Sequence, residues 1–144
     1  MRLCACLGTG LEIIEPCGFI WDDRKIKQSA MDYYDACGLV RHSSWEKFFD
    51  LNQGKRRIIL LSTRAGMSYT DFAYTERDIL LLGRESAGVP EDVHAAADAR
   101  LVIPLRPGLR SLNVVNAAAM VMGEALRQTR GFCHESANEK TGTL

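Results

Sequence analysis

The chain has 144 residues, of which 47% are hydrophobic and 25% are charged, and its 18 basic and 18 acidic side chains cancel to a formal net charge of zero. These values are typical of one globular domain and exclude a long disordered or fibrous region. A neutral chain also lacks the overall positive field of many nucleic-acid-binding proteins, so contact with nucleic acid has to depend on local basic patches.

The first half of the chain predicts three helices separated by two short strands. In chain order they are a helix at 2–8, a strand at 11–16, a helix at 22–30, a strand at 38–42 and a helix at 43–52. Gly8 is of the residue type found just past helix C-termini, and Pro16 closes the first strand. Asp22 or Asp23 is expected to cap the second helix, and Ser43 or Ser44 the third.

The second half predicts three strands and two helices. These are strands at 56–62, 78–83 and 100–105 and helices at 90–99 and 112–130. The first two of these strands are continuous apolar runs, the pattern of strands buried on both faces of a parallel sheet. We therefore predict an α/β fold, a mostly parallel sheet with helices on both faces, in one domain spanning 1–130 and followed by a loose polar tail at 131–144.

The cysteines are odd in number and include neither a CxxC pair nor a histidine at ligand spacing; they are Cys4, Cys6, Cys17, Cys37 and Cys133. This pattern argues against a metal site, and reduced thiols fit a cytoplasmic protein. No apolar run reaches the roughly 18 to 20 residues of a membrane span, and no signal peptide is visible after Met1. We expect a cytoplasmic protein without a metal or a membrane anchor.

Three turns carry glycine, serine or charged groups where predicted strands end, in the segments LLSTRAG, LLGRESAGVP and VIPLRPGLRSLN. Ligands of parallel α/β sheets bind beyond the carboxyl ends of the strands, so one pocket could collect all three turns. The one GxG, Gly8-Thr9-Gly10, follows a helix and precedes a strand, which is the reverse of the order in a dinucleotide-binding loop. A dinucleotide or P-loop enzyme is therefore disfavoured.

The segments LLGRESAGVP and VIPLRPGLRSLNVVNAAAMVMGEALRQ, with RLCACLGTGLEIIEPCGF before them, together resemble the SPOUT or α/β-knot RNA methyltransferases. The chain is most similar to the bacterial tRNA 2′-O-methyltransferases that act on wobble nucleotide 34, a cytidine or a modified uridine. The resemblance runs from Arg2 to about Gln128. It implies a C-terminal trefoil knot, S-adenosylmethionine bound in that knot, a tRNA anticodon stem-loop as partner, and a homodimer whose interface completes the active site.

The resemblance also implies site residues. Those expected to hold the cofactor are Leu61, Gly83, Glu85, Ile103, Leu105, Ser111 and Leu112. Gly83 has no Cβ, so the adenosyl group could approach the main chain there. Arg106 and Arg110 flank the expected cofactor loop in the segment VIPLRPGLRSLN, and they are expected to contact RNA. Two other basic clusters, at 24–27 and 55–57, are either RNA contacts or ordinary solvated faces.

The expected catalytic residues are Arg2, Ser111 and Asn113. Arg2 matches the first-motif arginine of the family, and because a guanidinium is effectively never deprotonated, we assign it to phosphate binding and to stabilising alkoxide charge rather than to a general base. Ser111 and Asn113 would orient the ribose hydroxyl. Their alternative role is to cap the helix that follows, which is the commoner use of such residues.

The family normally has a first strand ahead of its first-motif arginine, whereas here Arg2 directly follows Met1. Without that strand, part of the RNA side of the pocket would be missing. Three explanations stay open: a start codon assigned too late, a truncated chain, or a relative that has lost activity.

Two alternative functions also stay open. One is a ribosomal-RNA 2′-O-methyltransferase of the same superfamily, which usually carries an added RNA-binding domain for which this length leaves no room. The other is a non-catalytic α/β module that binds a nucleotide or S-adenosylmethionine.

Overall fold

A computed structural model describes residues 1–17, 21–84 and 87–133 of the chain. Its helices are α1 (Arg2–Leu7), α2 (Asp23–Ala30), α3 (Tyr33–Ala36), α4 (Trp45–Asn52), α5 (Glu91–Ala96) and α6 (Val114–Thr129). Its strands are β1 (Glu12–Ile14), β2 (Val40–His42), β3 (Ile58–Leu61), β4 (Met67–Ser68), β5 (Ile79–Leu82) and β6 (Ala99–Val102). Each predicted helix and strand is present, but the predicted bounds 90–99 and 100–105 were wrong, since α5 ends at Ala96 and β6 runs from Ala99 to Val102. The short α3 and β4 had not been predicted.

The helix ends follow the local chemistry of the sequence. Gly8 ends α1 in the left-handed region, with φ of 65°, where a side chain would be strained. Asp22 caps α2, since its carboxylate accepts hydrogen bonds from the backbone N–H groups of Arg24 and Lys25 at 3.0 and 3.2 Å. Ser44 caps α4 in the same way. These ends could be predicted because each depends on only a few neighbouring residues.

The strands form two parallel sheets, which corrects the prediction of a single sheet. β1 pairs with β2 in one sheet, and the other has the order β4-β6-β3-β5 with every pairing parallel. The two sheets also differ in how deeply their strands are buried. Ile58, Ile59 and Leu60 of β3 are 0%, 0% and 1% exposed, so this strand needs cover on both faces, whereas β1 is only half-buried and β2 is largely exposed.

The core lies on both faces of the four-stranded sheet. On one face Ile58 and Leu60 pack with Phe48 of α4 and Val93 of α5. On the other face Ile59 packs with Leu101 of β6, Tyr74 and Val121 of α6. The predicted arrangement with helices on both faces is therefore confirmed for this sheet.

The strand β5 differs from its prediction as a fully buried strand. It lies at the edge of the sheet, where β3 is its partner among the described strands, and only Leu81 on it is buried. A run of apolar residues indicates that a strand is buried, but it does not indicate whether the strand lies at the centre or at the edge of its sheet. That position depends on which other segments pack beside the strand. No helix in the described part of the chain is long and apolar enough to span a membrane.

Candidate active site

The carboxyl ends of β3, β5 and β6 open into a cleft of about 730 Å³. The register places Leu61 beside both Leu82 and Leu101, so these strands end at the same level. The cleft is lined by residues from the turn after β3, the turn between β5 and α5, the loop between β6 and α6, and the first turns of α5 and α6. The prediction that three turns converge in one pocket is confirmed.

The structure brings most of the sequence-predicted site residues to this cleft. The predicted residues that line it are Leu61, Gly83, Ile103, Leu105, Arg110, Ser111 and Leu112. Arg106 is exposed on the same loop but is not part of the lining. Glu85 lies outside the described residues. The roles assigned to these side chains stay predictions.

Gly83 is required at this place for a reason that the sequence did not reveal. A Cβ on Gly83 would lie 2.5 Å from the carbonyl carbon of Gly88 and 2.7 Å from its Cα, far inside van der Waals contact. Arg84 and Gly88 exchange backbone hydrogen bonds of 2.9 and 2.7 Å, so the turn folds back against Gly83. The absence of a side chain at Gly83 therefore lets the turn close on itself. This requirement holds whether or not a ligand approaches the main chain there.

Asn113 serves as the N-cap of α6. Its Oδ1 accepts hydrogen bonds from the backbone N–H groups of Val115 at 2.9 Å and Asn116 at 3.4 Å. The capping role that the sequence left open is thus real, and the side-chain Nδ2 is the part of the amide that could still act on a substrate. Asn113 is itself outside the cleft lining, next to Leu112 and Val114, which are part of it.

Two substitutions test the cap. Asn113→Asp keeps an acceptor for the N–H groups of Val115 and Asn116, so we expect a thermal stability no lower than that of the unsubstituted protein. Asn113→Ala removes the acceptor and should lower the free energy of unfolding by about 1 kcal/mol. Thermal unfolding measures both effects. Equal stability of Asn113→Ala and the unsubstituted protein would show that the cap does not stabilise α6.

Arg2 lies in a different place from the cleft. It lines a separate hollow of about 480 Å³ with Asp22, Lys25 and Tyr33, and its guanidinium lies 4.8 Å from the centre of the Tyr33 ring. This hollow and the cleft share no lining residue. Within one copy of the chain, Arg2 and Ser111 are therefore not brought into the same site.

Sequence reasoning missed several polar side chains of the cleft, among them Arg64, Glu91 and His94. Arg64, on the turn after β3, donates hydrogen bonds of 3.0 and 3.1 Å to Oε2 of Glu91. His94 follows one helical turn later, and its Nε2 is buried without a hydrogen-bond partner among the described residues. The sequence signal was weak, because His94 is isolated along the chain and Glu91 resembles any acidic residue in the first turn of a helix.

The basic cluster at 55–57 is engaged inside the chain. Arg57 donates hydrogen bonds of 2.8 and 2.7 Å to the carboxylate of Asp78, and Arg56 donates one of 3.1 Å to the carbonyl of Arg77. Burial works to raise the pKa of Asp78, but the hydrogen bonds from Arg57 and Thr75 outweigh it and lower that pKa. This cluster therefore joins β3 to the turn before β5, and an RNA contact there stays a prediction.

The cleft is lined by apolar residues together with polar and charged side chains, among them Arg64, Arg84, Glu91 and Arg110. Among the described residues no cluster of three or more His, Cys, Asp or Glu side chains could hold a metal ion. Such a site suits an organic ligand with an apolar body and a charged end. Because residues from three turns line it, a ligand in the cleft would contact all of them at once.

Comparisons with known proteins point to one family. The model of the SpoU rRNA Methylase family matches residues 1–123. A tRNA (cytidine(34)-2′-O)-methyltransferase of Beijerinckia indica is 60% identical over 130 residues, which are 89% of this chain and 81% of that protein.

Two solved structures are similar over most of the chain. One, concerning the 2-OH methylation of C/U34 on tRNA, has a TM-score of 0.81 and 35% identity and covers 88% of this chain and 83% of its own. The other is the SpoU methyltransferase AviRb from Streptomyces viridochromogenes in complex with the cofactor AdoMet. It has a TM-score of 0.74 and 25% identity, and covers 88% of this chain and 53% of its own.

Proposed function

The chain belongs to the SpoU rRNA methylase family, and from this premise we propose that it is a tRNA methyltransferase that transfers a methyl group from S-adenosylmethionine to the ribose 2′-oxygen of nucleotide 34. The substrate follows the tRNA (cytidine(34)-2′-O)-methyltransferase that is 60% identical to it. The single structural observation that carries the proposal is the convergence of the three strand-end turns in one cleft.

The described residues of the cleft fit S-adenosylmethionine. The main chain around Gly83, the strand end at Leu61 and the residue after β6, Ile103, offer backbone donors and acceptors with apolar cover, which suits an adenosine. His94 adds a buried ring nitrogen that has no partner in the described part of the chain, and a buried polar group of this kind is normally satisfied by a ligand or water. When bound, S-adenosylmethionine supplies a methyl group on a positively charged sulfur.

The protein's part in the reaction is positioning and charge stabilisation. Methyl transfer requires the 2′-oxygen in line with the methyl–sulfur bond, and such positioning is worth about 7 to 11 kcal/mol of a barrier. Ser111, exposed in the loop before α6, orients the ribose hydroxyl, assisted by the Nδ2 group of Asn113. Arg2 stabilises the negative charge that develops on the oxygen, because a guanidinium remains charged throughout.

The proposed active enzyme is a homodimer. Arg2 and Ser111 line different hollows of one chain, so a site that uses both needs the Arg2 of a second copy. Large apolar side chains are exposed on the loop and the helix next to the cleft; they are Leu109, Leu112, Val115 and Met120. Exposed apolar groups close together are typical of protein interfaces, and this surface is where we place the dimer contact.

We also propose that the C-terminal segment forms the trefoil knot implied by the resemblance, in a protein that meets its tRNA in the cytoplasm. The packing of α6 supports a close association with earlier segments. Gln128 of α6 donates to the carbonyl of Phe72 and accepts from the N–H of Tyr74, each at 3.0 Å. Arg106 and Arg110, exposed on the β6–α6 loop, bind phosphates of the anticodon stem-loop.

Transfer of a labelled methyl group from S-adenosylmethionine to tRNA tests the proposal. We expect label on tRNA with a ribose at position 34 and none on the same tRNA carrying a 2′-deoxyribose there, since the accepting oxygen is then absent. Ribosomal RNA serves as a competing substrate. Label on ribosomal RNA alone, or equal label on the deoxy-substituted tRNA, would refute the proposed substrate.

A further inference from the structure

We propose that Arg64 and Glu91 form the subsite for the amino-acid end of the cofactor, in which Arg64 takes the carboxylate and Glu91 takes the ammonium group. The inference rests on the proposed function, since it requires S-adenosylmethionine in the cleft. It adds two specificity-determining residues that neither the sequence pattern nor the relatives' names indicated.

The geometry that carries this inference is a bridge between two of the three turns. Arg64 follows β3, Glu91 is the first residue of α5, and the guanidinium reaches Oε2 of Glu91 with two nitrogens at 3.0 and 3.1 Å. Both residues line the cleft. Two opposite charges are thus held side by side in a cleft whose lining also includes apolar side chains, polar side chains and two further arginines, Arg84 and Arg110.

The amino-acid end of the cofactor also carries one negative and one positive charge, and each can pair with the opposite charge of Arg64 or Glu91. It presents a carboxylate and an ammonium a few ångströms apart, so it can exchange partners with an ion pair and leave no charge unpaired. The exchange is easy here because the side chains of Arg64 and Glu91 are 57% and 75% exposed, and exposed pairs contribute little to stability. In return Arg64 gains a carboxylate to which it can donate two parallel hydrogen bonds.

His94 provides a second and independent observation. It lies three residues after Glu91 on α5 and therefore on the same face of that helix, and it also lines the cleft. Its buried Nε2 has no partner among the described residues. Arg100 donates hydrogen bonds of 2.7 Å to the carbonyls of His94 and Ala95, which holds this end of α5 in place. We infer that the imidazole completes the polar subsite beside Glu91.

Three ligands distinguish this role from a general effect on the cleft: S-adenosylmethionine, its decarboxylated form, and methylthioadenosine, which lacks the whole amino-acid end. Binding is measured by calorimetry on the full chain. For Arg64→Gln we expect about tenfold weaker binding of S-adenosylmethionine, and binding of the other two ligands within about twofold of the unsubstituted protein.

Two further variants test the other side of the subsite. For Glu91→Gln we expect weaker binding of both ligands that carry the ammonium group and unchanged binding of methylthioadenosine. For His94→Leu we expect weaker binding of S-adenosylmethionine and of its decarboxylated form, and unchanged binding of methylthioadenosine. The loss of affinity should be smaller than the loss of S-adenosylmethionine affinity in Arg64→Gln. Arg77→Gln and Glu76→Gln are charge-matched controls, because both residues lie on the exposed turn at the opposite end of β5 from the cleft. Both controls should bind all three ligands normally.

The outcomes separate the inference from the proposed function. If the unsubstituted protein binds S-adenosylmethionine and Arg64→Gln binds it equally well, the subsite is wrong and the proposed cofactor stands. If Arg64→Gln weakens methylthioadenosine as much as S-adenosylmethionine, the pair only shapes the cleft and the subsite is again wrong. If the unsubstituted protein binds none of the three ligands, both proposals fail.

Discussion

Replacing Arg2 with alanine is expected to slow methyl transfer by about 100- to 1000-fold, the usual loss when one charge-stabilising donor is removed from an active site. The side chain is exposed at the start of α1 and stacks on Tyr33, so the fold should tolerate its removal. Binding of S-adenosylmethionine should be unchanged, because Arg2 does not line the cleft of its own chain and the Arg2 of the second copy is assigned to the ribose and not to the cofactor. Single-turnover methylation with saturating tRNA gives the rate, and calorimetry gives the cofactor affinity.

A matched control for Arg2 is Arg24→Ala. Arg24 is also an exposed arginine, on α2, but it does not line the hollow that contains Arg2. This variant should methylate at close to the normal rate once tRNA is saturating. A near-normal rate for Arg2→Ala under the same conditions would show that Arg2 takes no part in the chemistry.

Mixing two inactive variants tests whether Arg2 acts across a dimer. If the site combines Arg2 of one copy with Ser111 of the other, a mixed dimer of Arg2→Ala and Ser111→Ala chains contains one intact site. Random exchange of subunits should then restore about a quarter of the normal activity, since half of the dimers are mixed and each has one working site. If subunit exchange is verified and activity does not recover, either both residues act in the site of a single chain or one of them takes no part in the reaction.

Replacing Gly83 with alanine is expected to weaken S-adenosylmethionine binding by about 10- to 100-fold, the equivalent of about 1 to 3 kcal/mol of overpacking. The new Cβ would lie 2.5 Å from the carbonyl carbon of Gly88, and backbone atoms cannot turn aside as a flexible side chain can. The turn between β5 and α5 would have to move away, which would displace one wall of the cleft. Calorimetry measures the affinity, and thermal unfolding measures the accompanying loss of stability.

Gly66→Ala is the control for this substitution. Gly66 lies on the turn after β3, where a Cβ would meet no atom within 4 Å and where the backbone has no positive φ. This variant should bind S-adenosylmethionine normally. An unchanged affinity in Gly83→Ala would mean that the wall formed by this turn does not contact the ligand.

The candidate site was predictable from the sequence to the extent that it depends on strand ends. Apolar runs predicted where β3 and β5 lie, a third apolar segment predicted β6, and in a parallel sheet their carboxyl ends must meet at one edge. Leu61 and Gly83 lie at two of these ends, whereas Ser111 lies far along the loop after β6 and was named from the family resemblance alone. Arg64 and Glu91 could not be named in advance, because their pairing joins residues 27 positions apart whose contact depends on how two turns fold.

The sequence by itself determined the local structure: which segments are helices or strands, apart from the short α3 and β4, where glycine, serine, aspartate and asparagine cap the helices, and which turns follow the strands. These features arise from interactions among neighbouring residues. Only the tertiary structure decided the division into two sheets, the position of β5 at an edge, the collision that requires glycine at 83, and the separation of Arg2 from the cleft. Each of these depends on atoms distant in the chain that packing brings together, and periodicity along a sequence carries no record of such contacts.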